Sequence, residues 1–487
     1  MIEIPHWLDK QTDLQPNATA IELEGRVVTF NDIKEKSQRM ASGLINSGVK
    51  KGDHLAILAG NRLDFVYFIH AVSYIGAVAV CLNIRLSPRE IAYQLEDADV
   101  KHVYTEQEHI NKASEAAHIL KKQPSIIPLG TLPDSEKVMD LNQFLKLDDV
   151  FTMMYTSGTT GKPKAVMHTY GNHWFSAVSS ALNLGLSTND KWLVCLPLFH
   201  VGGFSLLMKN VVYGMPIVLL NRFDAPLVND HIMNNNVTLV SLVTVMLQRL
   251  LKSQDELYPS TFRGALLGGG PVPEPLLQEA GQANIPVFQS YGMTETSSQI
   301  VTLSPNDAFR KLGSAGKALS PASLRVIAND GLTSPNEIGE IHVKGPMVSS
   351  GYYQHEPHAE DYLATGDLGY LDEEGFLFVV DRVKDMIISG GENVYPAEIE
   401  SVLQEIKDIE EAAVTGINHE EWGEVPSAFV VVSDQSSITK EEIYNFCQKR
   451  LASYKVPRTI NFVSELPRNA ANKLVRRNLA QLLDEED

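Results

Sequence analysis

Cysteine is scarce in this chain: Cys81, Cys195 and Cys447 lie far apart among 487 residues. With no CxxC pair and no His/Cys cluster, a disulfide framework and a structural zinc site are both excluded as expectations. Long hydrophobic runs are missing as well. The most apolar window, residues 69–82, is interrupted by His70 and Ser73. It is too short to cross a bilayer and reads as a buried core helix running into a strand. The opening residues, Met1-Ile2-Glu3-Ile4-Pro5-His6, have no basic stretch leading into an apolar core. No signal peptide is expected there, and the cytoplasm is the expected location. Positive charge is in short supply. Lys and Arg total 41 against 60 Asp and Glu, a formal net charge of −19. A nucleic-acid surface needs clustered Lys and Arg, so nucleic acid is not an expected partner, although a local basic pocket for a small nucleotide is allowed. The charge leaves the oligomeric state open, and a homo-oligomer is compatible with it. Repeats and low-complexity tracts are absent.

What remains is 44% hydrophobic and 21% charged, the balance of a globular enzyme, in a chain long enough for two or more domains. The first half alternates helical and strand patterns. Thr29 and Asn31 offer N-caps for an amphipathic helix with Ile33, Met40, Leu44 and Ile45 inward, stopped by Gly48. Strands are expected at 54–58, 77–81, 192–195, 216–220 and 239–242, and a helix at 65–75. This alternation predicts an α/β fold built on largely parallel sheets flanked by helices. After about residue 318 short strands dominate (324–327, 339–343, 375–380), predicting a small β-rich subdomain. From 382 onward a compact α+β unit is expected, with a strand at 428–432 and helices at 396–404, 440–453 and 471–483. Thr439 and Glu442 form a capping box for the second of these. The charged run Asp381-Arg382-Val383-Lys384-Asp385 reads as a hinge. The expected division is therefore 1–381, including the β-rich part, and a mobile 382–487.

The strongest chemical signal is Tyr155-Thr156-Ser157-Gly158-Thr159-Thr160-Gly161-Lys162-Pro163-Lys164, preceded by the apolar run 150–154. Glycines let a backbone approach phosphate, hydroxyls donate hydrogen bonds and lysines supply charge. Gly158 and Gly161 are too close, and Pro163 is wrongly placed, for a Walker A loop.

The loop resembles the phosphate signature of the adenylate-forming superfamily, which includes acyl-CoA synthetases, adenylation domains of peptide synthetases and firefly-type luciferases. Six further stretches resemble that family's motifs in order. They are Pro197-Leu198-Phe199-His200-Val201-Gly202-Gly203, Gly268-Gly269-Gly270-Pro271, Gln289-Ser290-Tyr291-Gly292-Met293-Thr294-Glu295, Thr365-Gly366-Asp367 with Asp381 to Asp385, Ser389-Gly390-Gly391-Glu392-Asn393, and Asn472-Lys473. The resemblance implies a ligase using ATP, Mg²⁺ and coenzyme A, with a small carboxylic acid as partner. An acyl-adenylate forms first, and a thiol then displaces AMP.

The resemblance also implies roles. Thr156 to Lys164 hold the β- and γ-phosphates. Gly268 to Pro271 and Gln289 to Met293 form the adenine site, with Tyr291 against the base. Thr294 contacts the α-phosphate, Glu295 binds Mg²⁺, and Asp367 with Arg382 holds the ribose. Lys473 bridges the acid and the α-phosphate, with Asn472 where the family usually has glycine. Lys384 is the hinge about which the C-terminal domain turns, bringing Gly390 and Gly391 to the pantetheine arm. His200 gates the acyl pocket.

The residues themselves bear on the acid. Between 201 and 220 the one charged side chain is Lys209, nine residues after His200. A lysine in such a run either reaches water or meets an anion. This favours an acid with a second carboxylate over a fatty acid. Within the superfamily, the His200 segment and the run Ser290-Tyr291-Gly292-Met293-Thr294-Glu295-Thr296-Ser297-Ser298 resemble the branch whose acid carries a benzoate and a succinyl carboxylate. That branch implies a benzoate paired with Lys209 and an activated succinyl group. Ser241 could add a polar contact or be a plain strand-end serine. Competing readings are a generic fatty or aromatic acyl-CoA synthetase, an enzyme loading a carrier protein, a luciferase-like oxidase and a non-catalytic scaffold.

Overall fold

The structure is a computed structural model describing residues 2–131, 140–156, 163–269, 272–328, 331–356, 361–382, 384–389, 392–419, 422–433, 436–451, 453–469 and 473–483. Two compact units result. One comprises residues 1–272, 276–323 and 343–363, and the other 273–275, 324–342 and 364–487. The fold is mixed α/β with a large N-terminal and a small C-terminal part.

In the large unit, apolar strands assemble two sheets. One is six-stranded, in the order Lys164–Thr169, Val150–Thr156, Val78–Cys81, His54–Leu58, His102–Thr105, Ser125–Pro128. Its pairings are parallel except for the first, an antiparallel hairpin. The other has nine strands, with Val287–Met293, Gly264–Leu267, Leu239–Leu242, Trp192–Val194, Ile217–Leu219 and Thr19–Leu23 forming its parallel centre. Period-two alternation buries both faces of each sheet. Leu55 and Ile57 join one core cluster while Ala56 and Leu58 join another, and Trp192 and Val194 part from Leu193 in the same way. The helices Leu63–Ile75 and Val201–Tyr213 share the cluster common to the two sheets. This explains why both are apolar almost all round.

Local signals set the helix ends. The Thr29 hydroxyl accepts from Asp32 N at 3.1 Å, and the Asp32 carboxylate accepts from Thr29 N at 2.8 Å, starting the helix Phe30–Asn46. Such a cap contributes about 1 kcal/mol. Asn31 lies inside this helix. No helix among the described residues is long and apolar enough to cross a membrane.

In the small unit, Leu363–Leu371 and Leu377–Arg382 pair antiparallel in a five-stranded sheet that also holds Ser323–Ala328 and Gly339–Lys344. A second sheet centres on Gly423–Val432 and packs on Pro396–Gln404 and Lys440–Gln448. Thr439 and Glu442 form the expected capping box. The helix expected over 471–483 is not found in its described part, residues 473–483. Its described residues form two short 3₁₀ turns, Arg476–Asn478 and Ala480–Leu483. The Asn469 carbonyl-side oxygen Oδ1 accepts from Lys473 N at 3.0 Å, Asn469 N donates to Lys473 O at 2.9 Å, and Val475 N donates to Pro467 O. These bonds fold the segment back on Pro467, and Val475 N is engaged by Pro467 O where a helix would direct it to the carbonyl four residues before it. The helix expected over 440–453 likewise ends at Gln448.

Candidate functional site

The two strands that flank the glycine-rich loop set its base. Thr156 and Lys164 are register partners at the open end of the hairpin. The Tyr155 hydroxyl donates to Asp97 at 2.7 Å and anchors the base from below. Ser157, Gly158, Thr159, Thr160, Gly161 and Lys162 lie outside the described residues, as do Gly270, Pro271, Val383, Gly390, Gly391 and Asn472.

Lys164 Nζ stands 5.0 Å from the ring centre of Tyr352, and the Tyr352 hydroxyl donates to Glu295 Oε1 at 2.9 Å. One tyrosine thus links the hairpin of the loop to the expected metal carboxylate. Glu295 is 5% exposed, and among the described residues no cation pairs with it. A buried carboxylate without a counter-charge is costly, and its oxygens suit a hard divalent cation, so the residues present fit Mg²⁺. The turn Thr294–Thr296 is followed by Ser297 (φ +57°) and Ser298 (φ +132°). Two successive non-glycine residues with positive φ cost about 1–3 kcal/mol each. Bonds from Ser176 Oγ to Ser297 O and from Ser297 Oγ to Met347 O hold this backbone in place.

The two expected adenine segments are neighbours because Leu267 and Gln289 are partners on adjacent parallel strands. The Ser290 hydroxyl donates to Leu267 O, just before Gly268 and Gly269. Gln289 is buried, and its Nε2 has no hydrogen-bond partner among the described residues, so a donor remains for a ligand. Gly292 is required by close approach: a Cβ there would sit 2.1 Å from Ser298 O. The β-bulge at Tyr291/Gly292 turns the strand towards Thr294.

His200 occupies the N-cap position of the helix Val201–Tyr213 and makes no side-chain cap bond, so its ring is not used to start the helix. It packs edge-on to Phe199. Gly203 allows the tight entry, since a Cβ there would lie 2.2 Å from Pro197 O. Asn61, which sequence reading missed, fixes this segment. It donates to Leu196 O and Leu220 O and accepts from Leu198 N.

Gly202, Ser205 and Lys209 fall at i, i+3 and i+7 and share one face of that helix. Lys209 is 1% exposed. Its Nζ lies 4.8 Å from the Trp192 ring centre and has no hydrogen-bond partner among the described residues. Burial pushes its pKa down to about 7. Trp192, also missed, donates from Nε1 to Ser241 Oγ at 3.1 Å, so Ser241 is buried against the indole that faces Lys209. The lysine does not reach water.

In the small unit, Asp367 and Arg382 are register partners on adjacent strands, with Arg382 Nε 3.1 Å from Asp367 Oδ1. The Thr365 hydroxyl donates to Ile341 O and accepts from Asp367 N, which sets the bend. Lys384 is exposed. Arg476, three residues beyond Lys473, reaches Glu400 at 2.7 Å and Asp385 at 3.2 Å, tying the Lys473 segment to the expected hinge.

The family model of the AMP-binding enzyme matches residues 8–353, and that of the AMP-binding enzyme C-terminal domain matches 398–473. The 2-succinylbenzoate–CoA ligase of Oceanobacillus iheyensis is 53% identical over 484 residues, covering 98% of this chain and 99% of the relative. That of Bacillus cereus is 47% identical over 496 residues, covering 100% of both. The structure of Bacillus subtilis o-succinylbenzoate CoA synthetase in complex with its acyl-adenylate intermediate aligns with a TM-score of 0.93, 45% identity and 98% coverage of each chain. The same enzyme in complex with ATP and magnesium ion also gives 0.93 and 45%, covering 98% of this chain and 100% of that one.

Proposed function

The chain belongs to the AMP-binding enzyme family, and from that premise we propose that it ligates 2-succinylbenzoate to coenzyme A through an acyl-adenylate. The full-length relatives support the acid's identity. The observation in this chain that carries it is Lys209, a buried amine that can take up a proton and whose Nζ has no hydrogen-bond partner among the described residues. The acid's benzoate supplies the missing counter-charge, and the succinyl carboxylate is left for activation. Helical rise separates Lys209 from His200 by ~13 Å along the helix axis.

A free carboxylate is a poor electrophile with a poor leaving group, and AMP corrects both faults. The protein must bring two anions together and neutralise the charge that develops at phosphorus. Thr156, Lys164 and the loop between them cradle the β- and γ-phosphates. Thr294 contacts the α-phosphate, and Lys473 bridges it to the acid. Gln289, Tyr291 and the segment 268–271 receive adenine, while Asp367 accepts the ribose hydroxyls beside Arg382. Mg²⁺, when bound at Glu295, neutralises charge on the phosphate oxygens. His200 closes the acyl pocket over the ring. The functional boundary lies at 381/382, where turning about Lys384 withdraws Lys473 and brings Gly390 and Gly391 to the thiol of coenzyme A. The product would serve menaquinone biosynthesis in the cytoplasm. AMP release with coenzyme A across a panel of aromatic, fatty and dicarboxylic acids tests the reading. Preference for 2-succinylbenzoate is expected, and a fatty-acid optimum would refute it.

A further inference from the structure

Two buried histidines, His168 beside the turn Thr294–Thr296 and His173 joined to it through Thr152, are used by none of the roles above. His168 Nε2 is 2.7 Å from the Thr294 carbonyl oxygen. A carbonyl only accepts, so Nε2 carries the proton. Burial holds His168 down to about 4, so the ring is neutral and its Nδ1 must accept. The Thr152 hydroxyl lies 3.3 Å from that Nδ1 and 2.9 Å from His173 Nε2. The hydroxyl has one proton. Giving it to His168 leaves an oxygen lone pair to accept from His173 Nε2–H. One arrangement satisfies every contact: His173 donates to Thr152, Thr152 to His168, and His168 to Thr294. Behind it, His173 packs against Phe151 and Phe204, and its Nδ1 has no hydrogen-bond partner among the described residues. Burial lowers the His173 pKa too.

The placement of this chain suggests its purpose. Thr152 and His168 are register partners on the two strands that lead into and out of the phosphate loop. Their bond ties the two strands together, and the His168 Nε2–H bond to Thr294 O fastens that hairpin to the turn bearing Thr294 and Glu295, just before the strained Ser297 and Ser298. We propose that His168 is a positioning residue for adenylate formation. Backed by Thr152 and His173, it fixes Thr294 and Glu295 relative to the hairpin that carries the phosphate loop. The proposal rests on the reading of Thr294 as the α-phosphate contact.

The test compares His168→Leu, which removes the donor, with His168→Gln, whose side-chain amide can donate to the same carbonyl. Each is assayed for ATP–pyrophosphate exchange with 2-succinylbenzoate and, separately, for conversion of preformed acyl-adenylate by coenzyme A. His168→Leu should lower exchange about 10–100-fold and change the second reaction less than about threefold, while His168→Gln restores exchange to within about threefold of the native rate. Equal activity of the two variants, or equal loss of both half-reactions, overturns the proposal. Should His168→Leu fail to fold, Thr152→Val serves instead, with an expected loss of about 3–10-fold confined to exchange. An unchanged exchange rate in that variant also overturns it. An unmodified protein with no acid-dependent exchange defeats the reading of Thr294 itself, whereas normal native exchange with insensitive variants defeats the positioning role alone.

Discussion

Replacing Lys209 by methionine should move stability and substrate affinity in opposite directions. The side chain is 1% exposed, and its Nζ lies 4.8 Å from the Trp192 ring centre with no hydrogen-bond partner among the described residues. Burial depresses its pKa from 10.5 to about 7. The folded value lies below the unfolded one, so the unfolded chain holds the extra proton between pH 7 and 10.5. Stability therefore rises with pH across that window, and this group makes the native state roughly 4 kcal/mol weaker at pH 7 than at high pH. Methionine fills similar volume without a charge, so Lys209→Met should gain about 1–4 kcal/mol at pH 7 and flatten the pH dependence. The same change leaves a bound benzoate buried and unpaired, costing roughly 3 kcal/mol or more, about 10²-fold in KM for the acid. KM for ATP should not move. Native protein should prefer 2-succinylbenzoate to 3-benzoylpropionate, which lacks the benzoate carboxylate, and the variant should lose that preference. At pH 8, one unit above the depressed value, binding the diacid should take up about 0.9 proton per site by calorimetry in paired buffers. Denaturant melts and AMP-release kinetics decide the matter. An unchanged acid KM, or a destabilised variant that retains the preference, would refute the argument.

Other outcomes follow from single contacts. Lys473→Ala should slow adenylate formation by about 10²–10³-fold yet still convert preformed acyl-adenylate with coenzyme A, and equal loss of both steps would contradict domain alternation. Tyr352→Phe removes the donor to Glu295 and should raise KM for MgATP about tenfold, partly recovered by excess Mg²⁺, with KM for the acid unchanged. Arg476→Met leaves Glu400 and Asp385 without their partner. It should destabilise the small unit by roughly 2–4 kcal/mol, visible as faster hydrogen exchange in 396–404 and 473–479.

Much of the fold was legible because it is locally encoded. The apolar runs at 54–58 and 239–242 were read as strands with the observed bounds, and Thr29 and Thr439 announced their helices through capping chemistry. Such signals lie within a few residues of one another. The segment 471–483 misled because its leucine, alanine and arginine content favours a helix, whereas a side-chain amide at Asn469 decided the local backbone. The motif residues proposed for the site stand out in the sequence because the chemistry of phosphate restricts residue type. Their supports were not. Tyr352 meets Glu295 across 57 residues, His168 meets Thr294 across 126, and Asn61 meets Leu196 across 135. No spacing rule links such positions, and each residue alone looks like an ordinary polar side chain. Lys209 is the intermediate case. Its lone charge in an apolar stretch was visible, while the Trp192 ring that faces it was not.

This chain is proposed to cap 2-succinylbenzoate with AMP. Exchange of labelled pyrophosphate into ATP, measured without coenzyme A and with the acid added or withheld, tests it most directly. Exchange that depends on 2-succinylbenzoate and on Mg²⁺ is the predicted result. Exchange that no acid elicits, or that a fatty acid elicits and 2-succinylbenzoate does not, would contradict it.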